Sequence, residues 1–173
     1  SMWNQSESSM NEIRMAVVGV GSLGQHHARI LAGMDGVRLV GVVDPRPIQG
    51  QQIAARFKTT WHSDVQQLPR GLDGVVIATP TIYHVEPAEH FLKSGVATLV
   101  EKPLAANLKD ANYLRDLADE HQVLLQVGHV ERFNPAFEEA QRLSGHVNYL
   151  RCQRVSPYSF RSTDIGVVHD LMI

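Results

Sequence analysis

Three groups of residues in this chain have the types and spacing to do chemistry. Gly19-Val20-Gly21-Ser22-Leu23-Gly24 fits G-x-G-x-x-G, a strand-to-helix turn suited to a dinucleotide. The first glycine permits the turn, the second lets a pyrophosphate approach the backbone, and the third lets helix and strand pack closely. The helix N-terminus then offers N–H groups and a positive dipole end to the phosphates. Gly19, Gly21, Ser22, Leu23 and Gly24 are therefore the candidate phosphate loop. Asp44 follows Gly24 by about 20 residues, where a carboxylate accepts hydrogen bonds from both adenosine ribose hydroxyls. That carboxylate repels a 2′-phosphate, so NAD is the cofactor expected. NADP stays open because Arg46 is placed to stack on adenine or meet a phosphate. For Asp44 taken alone, a turn residue ahead of Pro45 is the alternative. The third group comprises Ala78-Thr79-Pro80-Thr81-Ile82-Tyr83-His84 and Glu101-Lys102-Pro103. Each follows an expected strand, and open parallel sheets bind ligands at strand C-termini.

The elements that must position these residues alternate. Met15 to Val18, Val37 to Val43, Val75 to Ala78, Val96 to Val100 and Val123 to Val127 are short apolar runs that suit strands buried on both faces. Between them a helix opens at the glycine loop, with Leu23, Ile30 and Leu31 on one face and an end near Gly33 to Gly36. Further helices are expected over Ile48 to Phe57, Val85 to Leu92 and Leu108 to His121. In the last, Asn107 and Asp110 resemble a capping box, and Leu108, Ala111, Leu114 and Leu117 keep helical spacing. Strands and helices alternating in this way imply an α/β fold: a doubly wound, mainly parallel, Rossmann-type sheet. After Gly128 the pattern changes to a helix over Pro135 to Leu143, a long strand over Val147 to Val155, and a loop over Ser156 to Thr163. Asp164 caps a last helix. The expected division is a frayed tail at 1–12, a dinucleotide-binding domain at 13–128, and at 129–173 the beginning of a second, α+β domain for substrate and oligomer contacts.

Composition narrows the partners. The 173 residues carry a net charge of −2 and are 43% hydrophobic and 20% charged. With no basic block there is no electrostatic footprint for nucleic acid or anionic membrane. No apolar run approaches the roughly 20 residues that span a bilayer, and the first ten residues lack the pattern of a secretory signal. A single cysteine, Cys152, argues against disulfide scaffolds and thiolate metal clusters and for a reducing, cytoplasmic setting. No metal is expected.

Glu101-Lys102-Pro103, taken with the glycine loop, the Thr79-Pro80 turn with His84 and the late Asp170, resembles the glucose-fructose oxidoreductase and inositol dehydrogenase (Gfo/Idh/MocA) family over about residues 13 to 173. The resemblance implies an N-terminal Rossmann domain and a C-terminal domain on an open, mainly antiparallel sheet. It places Lys102 beside the nicotinamide and the substrate hydroxyl, with Glu101, Thr79, Pro80 and His84 around the cofactor. It also implies an Asp-x-x-x-His pair, of which Asp170-Leu171-Met172-Ile173 supplies the Asp and the spacer. Val127 to Pro135 and Arg161 to Ile173 further resemble the UDP-N-acetylglucosamine 3-dehydrogenase-like branch, which implies a sugar or nucleotide-sugar substrate. Lys102, His129, Arg132 and Asp170 are then the substrate-contact candidates.

Oxidising a secondary alcohol requires a hydride acceptor and a base for the hydroxyl proton. Lys102 is the candidate acid/base, and Asp170 a second catalytic candidate. Structural roles are the alternatives for His84 and His129, a helix surface for Asp170, and a solvated turn for Lys102. His26 and His27 are expected to sit on the first helix without catalytic work. The function expected is a nicotinamide-dependent sugar oxidoreductase, a homo-oligomer at full length. The alternative is a truncated nucleotide-binding or regulatory module without turnover.

Overall fold

A computed structural model describes residues 12–149, 151 and 153. Six strands, β1 (Ile13–Val18), β2 (Val37–Val43), β3 (Trp61–His62), β4 (Gly74–Ile77), β5 (Ala97–Glu101) and β6 (Leu125–Gly128), alternate with helices. These are α1 (Gly24–Ala32), α2 (Pro47–Arg56), α3 (Val85–Lys93), α4 (Leu108–His121) and α5 (Pro135–Leu143). All five strand pairings are parallel, in the order β3-β2-β1-β4-β5-β6. The order reverses direction between β1 and β4, and the crevice beyond their C-terminal ends is where such sheets hold ligands.

Strand side chains alternate between the two faces. Ala16, Val18, Val75 and Ile77 pack with Ala88, Phe91 and Leu92 of α3 and with Leu114 and Leu117 of α4. Val17, Val42 and Val76 pack on the other face with Ala28 and Leu31 of α1 and with Ile53 and Ala54 of α2. This double burial is why the strands read as unbroken apolar runs. At the start of α4 the Asn107 side chain accepts from the Asp110 amide at 2.9 Å. Its own amide donates to the Asp110 carboxylate at 2.8 Å, so the expected cap forms. Pro47 opens α2 and Pro135 opens α5, where proline lacks only an N–H that a helix start leaves unpaired.

Several expectations are corrected. Leu23, Ile30 and Leu108 are exposed; α1 buries Gly24, Ala28 and Leu31 instead. The helix lies so close to the sheet that its inner face begins with small residues, and the larger apolar ones turn outward. β3 went unforeseen because two residues show no periodicity. It is held by packing: a Cβ on Gly50 would stand 2.0 Å from Trp61 Cδ1, so α2 rests directly on that indole. In the expected strand Val147 to Val155, residues 147–149, 151 and 153 are not in a strand, and no strand among the described residues pairs with them. The tail at 1–11, Cys152, the loop at 156–163, the helix after Asp164, and Asp170 lie outside the described residues. No helix among the described residues is long and apolar enough to cross a membrane.

The two leucines of α4 provide a test of this packing. Leu114 is fully buried and Leu108 is 75% exposed. Leu114→Ala is expected to cost about 2–5 kcal/mol, and Leu108→Ala no more than about 0.5 kcal/mol. Urea unfolding midpoints at constant m-value measure both.

Candidate functional site

Backbone approaches backbone at the glycine loop. Gly19 has φ +80, and a Cβ there would lie 2.8 Å from the Thr79 amide nitrogen; on Gly24 it would lie 1.7 Å from the Gly19 carbonyl oxygen. Neither position tolerates a side chain. At Gly21 the nearest atom is the flexible Arg46 Nη2 at 3.6 Å, so the second glycine opens to the cleft while the other two close the fold. Gly19 N donates to Val43 O at 2.7 Å and Ala78 N to Val18 O at 2.8 Å, which ties the loop to the strand ends on both sides. Gly19, Gly21, Ser22 and Leu23 line a cleft of about 950 Å³ at the β1/β4 crossover.

Asp44, Pro45 and Arg46 form one end of this cleft. The Asp44 carboxylate is 2% exposed. It accepts from Val20 N at 3.1 Å, Arg46 N at 3.0 Å, Arg46 Nε at 3.0 Å and Arg46 Nη2 at 3.0 Å. Burial acts to raise its pKa, but the hydrogen bonds and charge of Arg46 and the Val20 amide outweigh burial and hold it below the ordinary value. The same contact raises the Arg46 guanidinium. Trp61 Nε1 donates to the Asp44 carbonyl at 3.0 Å, so the short strand β3 helps to fix this end.

Thr79, Pro80, Glu101 and Lys102 line the other end. Lys102 is half-buried and follows β5 directly, and its peptide bond to Pro103 is cis. His84, expected to meet the cofactor, is instead 1% exposed. Its Nδ1 lies 3.0 Å from Pro103 O and its Nε2 2.9 Å from Thr79 O. The ring therefore bridges the loops after β4 and β5 and is turned away from the cleft. Carbonyl oxygens only accept, so the ring nitrogen that carries the proton donates to the carbonyl it faces.

Glu101, 6% exposed, accepts from His27 Nε2 at 2.6 Å and from the Lys102 amide at 3.3 Å. Burial acts to raise its pKa, yet the hydrogen bond and charge of His27, with smaller contributions from the Lys102 amide and His84, hold it below the ordinary value. Gly128 leaves room for this carboxylate, since a Cβ there would lie 3.0 Å from Glu101 Oε2. His27 sits on the first helix as expected, and its contact with Glu101 is one the spacing alone did not show. A signal was present in the sequence: His27 stands three residues after Gly24, on the side of α1 that approaches the sheet.

The structure thus brings the glycine loop, Asp44, Arg46, Thr79, Pro80, Glu101 and Lys102 to one cleft. It does not bring His129 or Arg132 there; both are exposed, at and within the turn that follows β6.

Comparison with known proteins agrees with this geometry. Residues 13–129 match the family model described as "Oxidoreductase family, NAD-binding Rossmann fold". The chain is 35% identical over 165 residues to UDP-N-acetylglucosamine 3-dehydrogenase of Acidithiobacillus ferrooxidans, covering 95% of this chain and 52% of that protein. The solved structure of that enzyme superposes with a TM-score of 0.83 at 35% identity, over 92% of this chain and 52% of that one. Identity to scyllo-inositol 2-dehydrogenase (NAD⁺) of Bacillus subtilis is 33%, over 76% of this chain and 40% of that protein. The gentamicin-pathway protein GenD2, solved in complex with NAD, gives a TM-score of 0.74 at 30% identity, over 83% of this chain and 42% of that one. The chain spans about half the length of the curated relatives it matches. With its six-stranded parallel sheet and glycine-loop cleft, it belongs to the Gfo/Idh/MocA oxidoreductase family and carries that family's NAD-binding Rossmann fold.

Proposed function

We propose that this chain is the cofactor-holding part of an NAD(P)-dependent dehydrogenase that moves a hydride between nicotinamide and a secondary hydroxyl of a sugar or nucleotide sugar. The observation that carries this reading is the shared cleft, with the glycine loop and Asp44 toward one end and Lys102 at the other. NAD, when bound, supplies the hydride acceptor. The chain's residues do the rest. The glycine loop holds pyrophosphate against backbone N–H groups and the start of α1. Asp44 accepts from the ribose hydroxyls. Lys102 takes the proton of the substrate hydroxyl, and in the reverse direction returns one to the developing alkoxide. Glu101 orients the Lys102 turn through its amide, His27 orients Glu101, and His84 ties that turn to Thr79. Asp170, His129 and Arg132 belong to the substrate side of this reading. A cytoplasmic setting, which the single cysteine supports, and the homo-oligomer assembly at full length that the family resemblance implies complete it.

The position of His129 and Arg132 outside the cleft lining favours a second reading, a nucleotide-binding module without turnover. Calorimetric titration with NAD⁺ tests what both share: the folded chain should bind it, and a folded chain that binds neither NAD⁺ nor NADP⁺ refutes both. NADH formation from UDP-sugars separates them. Lys102→Met should leave NAD⁺ affinity within about twofold and lower hydride transfer by about 10²–10⁴-fold, the usual range for a proton-transfer group. Unaltered turnover removes Lys102 from its role.

Glu101 also gives the fold an acid limb. Its carboxyl is held below the ordinary value in the folded chain, so the stability it lends is complete above the unfolded value. That stability is lost as pH falls through the folded value. Urea midpoints between pH 3 and 7 should therefore fall toward acid more steeply for the parent chain than for Glu101→Gln.

A further inference from the structure

The adenosine end of the cleft does not present the bare carboxylate that the sequence pattern leads one to expect. All four donors on Asp44 are supplied from within the chain, and two of them belong to the Arg46 side chain. The Arg46 side chain is 64% exposed above a carboxylate that is 2% exposed, so the guanidinium roofs it. Its Nη2 is also the nearest atom to the open side of Gly21.

Resting on the dinucleotide reading above, we propose that Arg46 is a displaceable roof over Asp44 that lets this end of the cleft accept both NAD and its 2′-phosphorylated form. A ribose diol reaches Asp44 only when the guanidinium swings away, so NAD binds in competition with an internal ion pair. The two backbone donors, Val20 N and Arg46 N, stay on the carboxylate during that exchange. A 2′-phosphate meets a different surface. The guanidinium has five N–H donors, of which Nε and Nη2 each direct one at Asp44; the others remain on a side chain that is 64% exposed. A phosphate can bind there with the Asp44 pair intact, and the pair has already neutralised the charge that would repel it. Arg46 thereby becomes the specificity-determining residue. It weakens the preferred cofactor slightly and gives the alternative one its anchor.

The experiment is calorimetric titration of the chain with NAD⁺, NADP⁺ and, as a probe of the 2′-phosphate alone, 2′-AMP. The parent chain should bind both dinucleotides with affinities within about tenfold of each other. In Arg46→Ala, NAD⁺ should bind about two- to fivefold more tightly, the range of an exposed ion pair removed from competition. NADP⁺ and 2′-AMP should each bind about tenfold or more weakly, the usual loss for hydrogen bonds to a charged group. Asp44→Asn should move the two dinucleotides the opposite way. Because Arg46 is exposed, its variant is expected to fold, and a urea transition checks this. Equal weakening of NAD⁺ and NADP⁺ in Arg46→Ala, as for a side chain stacked on adenine, overturns the proposal, as does an unchanged ratio. Failure of the folded parent chain to bind either dinucleotide overturns the cofactor reading itself.

Discussion

Much of this structure depends on one close approach, that of the Gly24 backbone to the Gly19 carbonyl, where a single added carbon would stand 1.7 Å from oxygen. That contact sets where α1 begins and how near it lies to the sheet. Because the helix is so near, Ala28 and Leu31 fill the inner face, and His27 comes within 2.6 Å of Glu101 at the end of β5. The same approach fixes Gly19 against Thr79, and His84 carries that position on to Pro103. A spacing that reads as a phosphate motif is thus also the reason two distant strand ends are held in register.

Buried carboxylates mark both ends of the cleft, and each is satisfied in the free chain. Asp44 is held by an arginine and two amides, and Glu101 by a histidine and one amide. Such groups stay charged under burial only when several donors face them. The two pairs differ in exposure and so in what they can do. Arg46 is mostly in solvent and free to exchange partners, whereas His27, at 22% exposure, is enclosed with its partner. One end suits recognition by replacement, the other fixed orientation.

How much was legible in the sequence follows the range of the forces involved. The buried strands and the helices between them were plain, since double burial writes continuous apolar runs and caps are local. β2, α4 and α5 have the expected bounds, and most other elements differ by one or two residues. The glycine spacing and Asp44 were legible because their geometry is confined to one strand-turn-helix unit. What was not legible depends on contacts distant in sequence. His27 meets Glu101 across 74 positions, β3 exists by packing of Trp61 on Gly50, and His84 looks like a ligand-facing residue until its two carbonyl partners are seen. Arg46 was identified as a cofactor contact, but its closure over Asp44 needs side-chain geometry that no spacing encodes.

Sheet register also orders the candidate residues along the strand ends. Glu101 pairs with Gly128, so Lys102 and His129 leave adjacent strand ends, roughly 4.8 Å apart in the pairing direction. β6 is the outer strand on that side, with β5 between it and β4. The glycine loop opens at the β1/β4 crossover and Lys102 lies one strand beyond it, so in strand order Lys102 falls between the glycine loop and His129. In the function proposed above, that ordering puts Lys102 between the cofactor-holding residues and the substrate candidate His129. It accounts for His129 lying outside the cleft while Lys102, on the neighbouring strand end, lines it.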